Sequence, residues 1–291
     1  MPELPEVETV RRGLAPHMEG RRILFAEQNR PDLRFPFPPG FVARLEGNRV
    51  ISVGRRAKYL LIALEDGWTW MVHLGMSGRF TVNPGSEAVI ATSGQVGHNS
   101  GWALAEKHDH VRVEMEGGAR LVFNDTRRFG FMDLIPPGGL ATNPHLAGLG
   151  PEPLDDAFNV ADFSAAIADK KTPIKAALLD QAVVAGLGNI YVCEALWRSG
   201  ISPKRLARTV PGRRAERLVP AVKEVIAAAI EAGGSSLRDF VQADGELGYF
   251  QHAWDAYGRE GEPCRKPDCG GIVRRIVQSG RSTFFCPGHQ R

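Results

Sequence analysis

Leu4, Val7, Val10 and Leu14 recur every three or four positions, the spacing of one helix face, while Glu3 and Glu6 fall together on the opposite face. From 49 to 134 the period shortens to two. β-Branched and aromatic runs at 49–53, 59–64, 68–73, 79–82, 111–115, 120–124 and 131–134 alternate with glycine-marked turns, and seven such strands predict a two-layer β-sandwich. Segment 83–107, rich in Gly, Ser and Ala, breaks that rhythm and reads as a surface insertion. Proline and glycine crowd 136–153, which marks a linker. Beyond it the period returns to about 3.6, predicting helices at 161–168, 173–179, 189–198, 213–232 and 236–240. The expected fold class is therefore α+β in several units: 1–135, a linker at 136–153, a helical unit at 154–244 and a terminal unit at 245–291.

A chain of 291 residues, 43% hydrophobic, is long enough for two real cores. It has no run of eighteen apolar residues and no signal-like start, so a soluble cytoplasmic protein is expected. Its net charge is only +3, but the charge is unevenly placed. Seven basic residues lie between Arg198 and Arg217 against the single acid Glu216, and six between 261 and 291 against Glu262 and Asp268. Such patches are a footprint for phosphate, although a solvated face produces the same pattern.

Candidate chemistry begins at the second residue. Removal of Met1 leaves Pro2 with a free secondary amine, which titrates near ~7.7–8.0, whereas a lysine near ~10.4 needs burial to become nucleophilic. Attack of that amine on an aldehyde-level carbon gives a charged iminium, an electron sink, with Glu3 close enough to act as general acid or base. A plainer reading is that Pro2 and Pro5 start a helix whose positive end favours the glutamates.

Three of only four cysteines crowd the end of the chain: Cys264-x4-Cys269, sixteen residues, then Cys286-x2-His289. Three thiolates and an imidazole make a closed tetrahedral zinc set, structural because no position is left for water. Between the pairs, runs at 272–277 and 282–285 around the polar 278–281 read as a β-hairpin too small to fold without the metal. Cys193, on the apolar side of its helix, reads as core. Lys58 precedes an apolar strand, so its amine is expected to emerge at a strand edge. The stretches 73–78 and 124–130 read as glycine-punctuated tips offering Met76, Arg127 and Phe129, wedges of the kind that fill a gap in a base stack. A surface salt bridge is the alternative for Arg127 and Arg128. Glycines before Asn189 leave helix-start N–H groups free for a phosphate, as a bare helix cap also does.

Taken in order, the start from Pro2 to Val10, the tips at 73–78 and 124–130, the turn at 186–191, the stretch 245–249 and the terminal finger resemble bacterial formamidopyrimidine-DNA glycosylase across nearly the whole chain except 83–107. The resemblance implies an N-terminal helix plus β-sandwich, a helix-two-turn-helix DNA-binding domain at 154–244 and a zinc β-hairpin at 245–291. It implies a bifunctional glycosylase and abasic-site lyase for oxidised purines, with Pro2 as nucleophile, Glu3 as acid, Glu6 in support and Lys58 beside the damaged nucleotide. His73, Asn189 and Arg281 then contact phosphate, Met76, Arg127 and Phe129 fill the void, and the loop holding Ser235 and Ser236 covers the extruded base. Its implied partner is double-stranded DNA carrying oxidised purines or abasic sites, bound by a monomer away from membranes. One structural zinc is implied, with no redox or nucleotide cofactor. The family's usual finger uses two Cys-x2-Cys pairs, from which this chain departs at the first knuckle and at His289. An endonuclease VIII type enzyme for oxidised pyrimidines, or a non-catalytic zinc-finger DNA-binding protein, are the competing readings; the latter predicts loss of Pro2, Glu3 or Lys58, and all three are present.

Overall fold

The computed structural model describes residues 2–84, 107–235 and 250–291. Its first helix, α1 (Leu4–Met18), is longer than the expected stretch ending near Leu14. Met18 explains the extension, because it is fully buried and anchors the last turn. The helix serves two cores. Val7, Val10, Leu14 and Met18 pack into the sandwich, whereas Leu4 belongs to the helical half. That division holds the start of the chain at the boundary between the halves.

The sandwich consists of two four-stranded antiparallel sheets. One runs β2 (Val50–Arg56), β3 (Tyr59–Leu64), β4 (Thr69–His73) and β8 (Phe131–Ile135) in that spatial order. The other runs β1 (Ile23–Gln28), β6 (Asp109–Met115), β7 (Arg120–Asn124) and β5 (Arg79–Asn83). All seven expected strands are present, and β1 is an eighth. Its alternation is broken by a register shift between Ile23 and Phe25 and by the exposed Leu24, so a period-two search passes over it. The five-residue α2 (Phe41–Leu45) is too short to show a helical period, yet Phe41 and Leu45 are both buried.

The helical half contains α3 (Val160–Ile167), α4 (Ile174–Leu179), α5 (Asn189–Ser199) and α6 (Arg213–Glu231), close to the expected spans. The expected helix at 236–240 lies outside the described residues. α5 stops at Gly200, whose left-handed φ of 68° suits glycine. Last comes the hairpin of β9 (Arg274–Gln278) and β10 (Arg281–Phe285). Its turn is tighter than the four residues expected: Ser279 and Gly280, both at positive φ, make a two-residue loop, and Arg281 opens the second strand instead of sitting on the tip.

Candidate active site and DNA-facing residues

Pro2 is buried at the start of α1. Glu3 caps that helix, and its main-chain N–H donates to Glu6 Oε2 at 2.8 Å, half of a capping box. The helix-start reading of these glutamates therefore holds, but it leaves most of their carboxylate oxygens for other partners. Glu3 Oε1 accepts the Ile190 N–H at 3.1 Å and faces the N-terminus of α5, where orphan donors and the helix dipole favour a negative charge. Gly188 makes that approach possible, since a Cβ there would stand 2.2 Å from the Glu3 carboxyl carbon. Glu6 Oε1 accepts the Ser235 N–H at 2.8 Å and the Tyr191 hydroxyl, which also lies 3.2 Å from Ser235 Oγ. Of the expected lesion-loop pair, Ser235 thus reaches the site, while Ser236 lies outside the described residues.

Lys58 departs from the strand-edge expectation. It is buried, and its Nζ donates to the Leu187 carbonyl at 2.8 Å, across the boundary into the helical half. Burial lowers its pKa, with Arg281 adding to the fall and Glu3 and Glu6 opposing it. Burial likewise raises Glu3, against the pull of Lys58. Acid and amine are thus each pushed toward neutrality, the condition for moving protons near neutral pH.

His73 closes β4 in a ring cluster, 5.1 Å from Tyr59 and 5.3 Å from Phe131. Its Nδ1 accepts the Gly75 N–H at 3.1 Å, which leaves Nε2–H as the free donor. Burial, helped by Lys58, Arg34 and His145, brings its pKa down to about 4, so it is a neutral donor at physiological pH. Asn189 opens α5 and donates to the Ser282 carbonyl at 2.9 Å. Lys175 Nζ donates to the same carbonyl at 3.1 Å and to Thr283 Oγ1 at 2.6 Å, so the hairpin carrying Arg281 is docked on α4 and α5.

Met76, Arg127 and Phe129 form a second group, on two neighbouring sandwich tips. Met76 is half-buried, and Phe129 is 45% exposed with the Arg127 guanidinium 4.9 Å from its ring. The salt-bridge alternative falls to Arg128, 3.7 Å from Asp32. What joins the tips is Asp125, which is fully buried. Its Oδ1 accepts the Ser77 hydroxyl at 2.6 Å and the Arg127 N–H at 3.3 Å, and its Oδ2 accepts the Gly130 N–H at 2.8 Å. Gly75, at φ 64°, lies so close to the second tip that a Cβ would meet Gly130 N at 2.2 Å.

Sequence reasoning missed Asp125, Tyr191 and Glu152. The first two sat inside motifs read for their neighbours, and only Tyr191, an aromatic one turn into a glycine-led helix, carried a polar group pointing to a buried partner. Glu152 gave no signal, because its partners are about 95 residues away. It accepts from Arg55 Nη1 at 2.7 Å, Arg56 Nη1 at 2.8 Å and the Ala57 N–H at 2.6 Å. It thereby clasps the turn that presents Lys58, in which Ala57 takes a left-handed φ of 51°.

The ligand atoms of Cys264, Cys269, Cys286 and His289 all lie within 4.8 Å of one another. Neighbouring donors are 3.4 to 3.8 Å apart, matching the edges of about 3.5–3.8 Å that a tetrahedral zinc with ~2.3 Å Zn–S bonds requires. His289 Nε2 lies 3.0 Å from the Trp197 carbonyl, which fixes Nδ1 as the ligating nitrogen. Cys193, as expected, is core.

A mixed sandwich and helical body with a Cys3His finger, and an acid and an amine meeting at the start of a helix, define a zinc-finger protein built around an N-terminal active site. The N-terminal domain model of formamidopyrimidine-DNA glycosylase matches residues 1–132, that enzyme's helix-two-turn-helix domain model matches 149–241, and a zinc finger shared with isoleucyl-tRNA synthetases matches 261–287. Curated formamidopyrimidine-DNA glycosylases of Cereibacter sphaeroides and Ruegeria pomeroyi are 58% and 56% identical, each over all of both chains. The crystal structure of the Thermus thermophilus protein covers 99% of this chain and 98% of its own at 41% identity and a TM-score of 0.83. The Lactococcus lactis protein bound to DNA containing an abasic site covers 100% of both at 32% identity and a TM-score of 0.85. The chain belongs to the formamidopyrimidine-DNA glycosylase family.

Proposed function

We propose that this protein is a bifunctional DNA glycosylase and abasic-site lyase that excises oxidised purines from duplex DNA. The observation that carries the reading is the meeting, beside buried Pro2, of a Glu3 carboxyl raised by burial with a Lys58 amine lowered by it. Neutral Pro2 attacks C1′ of the damaged nucleotide as the C1′–N bond breaks, and the base leaves with the proton that Pro2 sheds; Glu3 then gives its proton to the ring oxygen as the C1′–O bond opens, leaving the iminium on Pro2. The resulting iminium draws electrons from C2′, whose proton is lost as the 3′ phosphate departs in β-elimination; a second elimination releases the 5′ phosphate. Glu6, bonded to Tyr191 and Ser235, holds the start of α1 against the segment that enters the lesion loop.

Met76, Arg127 and Phe129 fill the gap left by the extruded nucleotide, with Arg127 facing the orphaned cytosine. His73, Asn189 and Arg281 hold phosphates, and Ser235 and Ser236 belong to the loop over the base. One zinc held by Cys264, Cys269, Cys286 and His289 supplies the finger's folding energy, and by that route sets Arg281 in place. Units 1–135, 154–244 and 245–291 about the linker 136–153 are our division of the chain. The setting is the bacterial cytoplasm, at the nucleoid; no described helix is long and apolar enough to cross a membrane.

The test is excision from duplexes carrying 8-oxoguanine opposite cytosine. The reading expects free base, a strand cut on both sides of the sugar, and weaker activity on an oxidised pyrimidine. Strand cutting with the reverse preference moves the protein to the pyrimidine-excising type, and no release overturns the reading.

A further inference from the structure

Ion pairs are the rule for arginine in this molecule. Glu8 engages Arg11, Arg12 and Arg55; Glu152 engages Arg55 and Arg56; and Arg44, Arg112 and Arg259 each meet an acid. Several single arginines elsewhere in the described residues, Arg34 and Arg281 among them, also lack an acid, but residues 204–217 gather such cations in one short stretch. Among the described residues, Lys204, Arg208, Arg213, Arg214 and Arg217 have no ion-pair partner; Arg205 donates to the main-chain oxygen of Arg291 and is depressed by burial and by the charge of Arg214. The crowding runs against local physics. Arg213 and Arg214 occupy the first turn of α6, the positive end of a 19-residue helix, and Arg213 repels Arg217 at i,i+4. Glu216 is the one acid in the segment, and Asp169 and Lys171 on the adjoining turn offset each other. Seven cations between 198 and 217 outweigh the +3 of the whole chain, so the remainder is net acidic.

The place of this patch separates it from the site already described. α6 ends at Glu231 and the chain runs on through Gly233–Ser235 to Glu6, so the first turn of the 19-residue helix stands about 28 Å away along the helix axis. α4 and α5 agree: their 180–188 connection meets Glu3 and Lys58, while Pro173 and the 200–212 loop lie at the far end. Between that loop and the finger is a groove lined by Lys204, Arg205, Leu206, Phe285, Pro287 and Arg291.

We propose that this cationic end is a second duplex-DNA surface, which holds a stretch of undamaged backbone remote from the lesion and gives the enzyme sequence-independent grip. The inference rests on the reading of the protein as a DNA enzyme. Its partner is phosphate backbone, since the exposed and unneutralised guanidinium groups of Arg208, Arg213 and Arg217 suit a repeating anion more than a discrete ligand.

The test combines Arg208→Ser, Arg213→Ser and Arg217→Ser in the zinc-loaded full chain, with the corresponding triple Arg→Lys variant as control. On an undamaged 30-bp duplex the serine variant should bind at least tenfold more weakly at low salt. Its salt slope should be shallower by about 0.9 for each phosphate no longer neutralised, up to three, and the lysine variant should keep both. Single-turnover excision from a 12-bp lesion duplex, which extends only about 20 Å to either side of a central lesion, should stay within twofold of the parent. An unchanged slope on the 30-mer overturns the proposal, as does an equal loss of excision on the 12-mer. Failure of the parent itself to excise from the 12-mer would instead indict the functional reading.

Discussion

Glu3 and Lys58 set each other's proton affinity, and the sign of that coupling can be tested. Lys58 is the largest influence lowering Glu3 against the upward push of burial, so Lys58→Met should raise the Glu3 pKa further. The alkaline limb of single-turnover base release, where Glu3 loses its proton, should then move to higher pH, even as the rate falls for want of the amine. Glu3→Gln should abolish that limb and lower base release by about 10²–10⁴-fold, the usual worth of a positioned acid. A limb that stays in place in Lys58→Met would show that the two groups are not coupled, and one that moves to lower pH would reverse the sign of the coupling. His73 gives a second residue-scale prediction. With its pKa down to about 4 and Nδ1 accepting from Gly75, it should stay neutral with Nε2 protonated from pH 8 to pH 5, which ring nitrogen shifts in NMR read directly. At the tips, Arg127→Ala should cost about 1–3 kcal/mol of the preference for cytosine opposite the lesion. Asp125→Ala, which touches no base, should erode the same preference by unpinning Arg127 and Gly130, a selectivity change that simple loss of stability does not produce.

Metal dependence belongs to the elements. Neither large core includes a residue of the β9–β10 hairpin or a zinc ligand, so chelation or His289→Ala should leave the helical circular dichroism near that of the parent while DNA affinity and excision fall. Loss of the whole helical signal on chelation would contradict this. The elements were also the most legible level of the sequence. Seven strands and five helices were readable because their apolar positions repeat on one face, and β1 was lost where a bulge interrupts the repeat. The finger was legible from spacing alone, but its tip was placed two residues too wide, because Ser279 does not advertise a positive φ. In the site, Pro2 and Glu3 were legible as candidates and the Cys3His set from its spacing, whereas the α5 helix-start N–H groups expected to be free for a phosphate are taken up by Glu3. Lys58 was legible as a candidate and misjudged in its surroundings, since the carbonyl it reaches, Leu187, lies 129 residues away. Asp125 reaches the Ser77 hydroxyl 48 residues away and Glu152 reaches groups about 95 residues away, which no local pattern reports.

At the scale of the whole molecule, the active site is a product of how the two halves are held. α1 gives Leu4 to one core and its later apolar positions to the other, and Lys58 crosses from the sandwich to Leu187. Glu152 in the linker locks the 55–57 turn that aims that lysine. Glu152→Ala should therefore cost about 1–3 kcal/mol through the donors it strands, and the thermal midpoint in calorimetry reads that loss. It should also depress lyase activity beyond what Glu152→Gln does, because the amide still accepts from Ala57. The central claim is that a secondary amine at Pro2, freed from Met1, is the nucleophile. It is tested most directly by borohydride reduction of the protein on a duplex with an abasic site, followed by proteolysis and mass mapping of the linked peptide. The account predicts a single adduct on an N-terminal peptide beginning at Pro2; an adduct on Lys58, or full activity in protein that retains Met1, would contradict it.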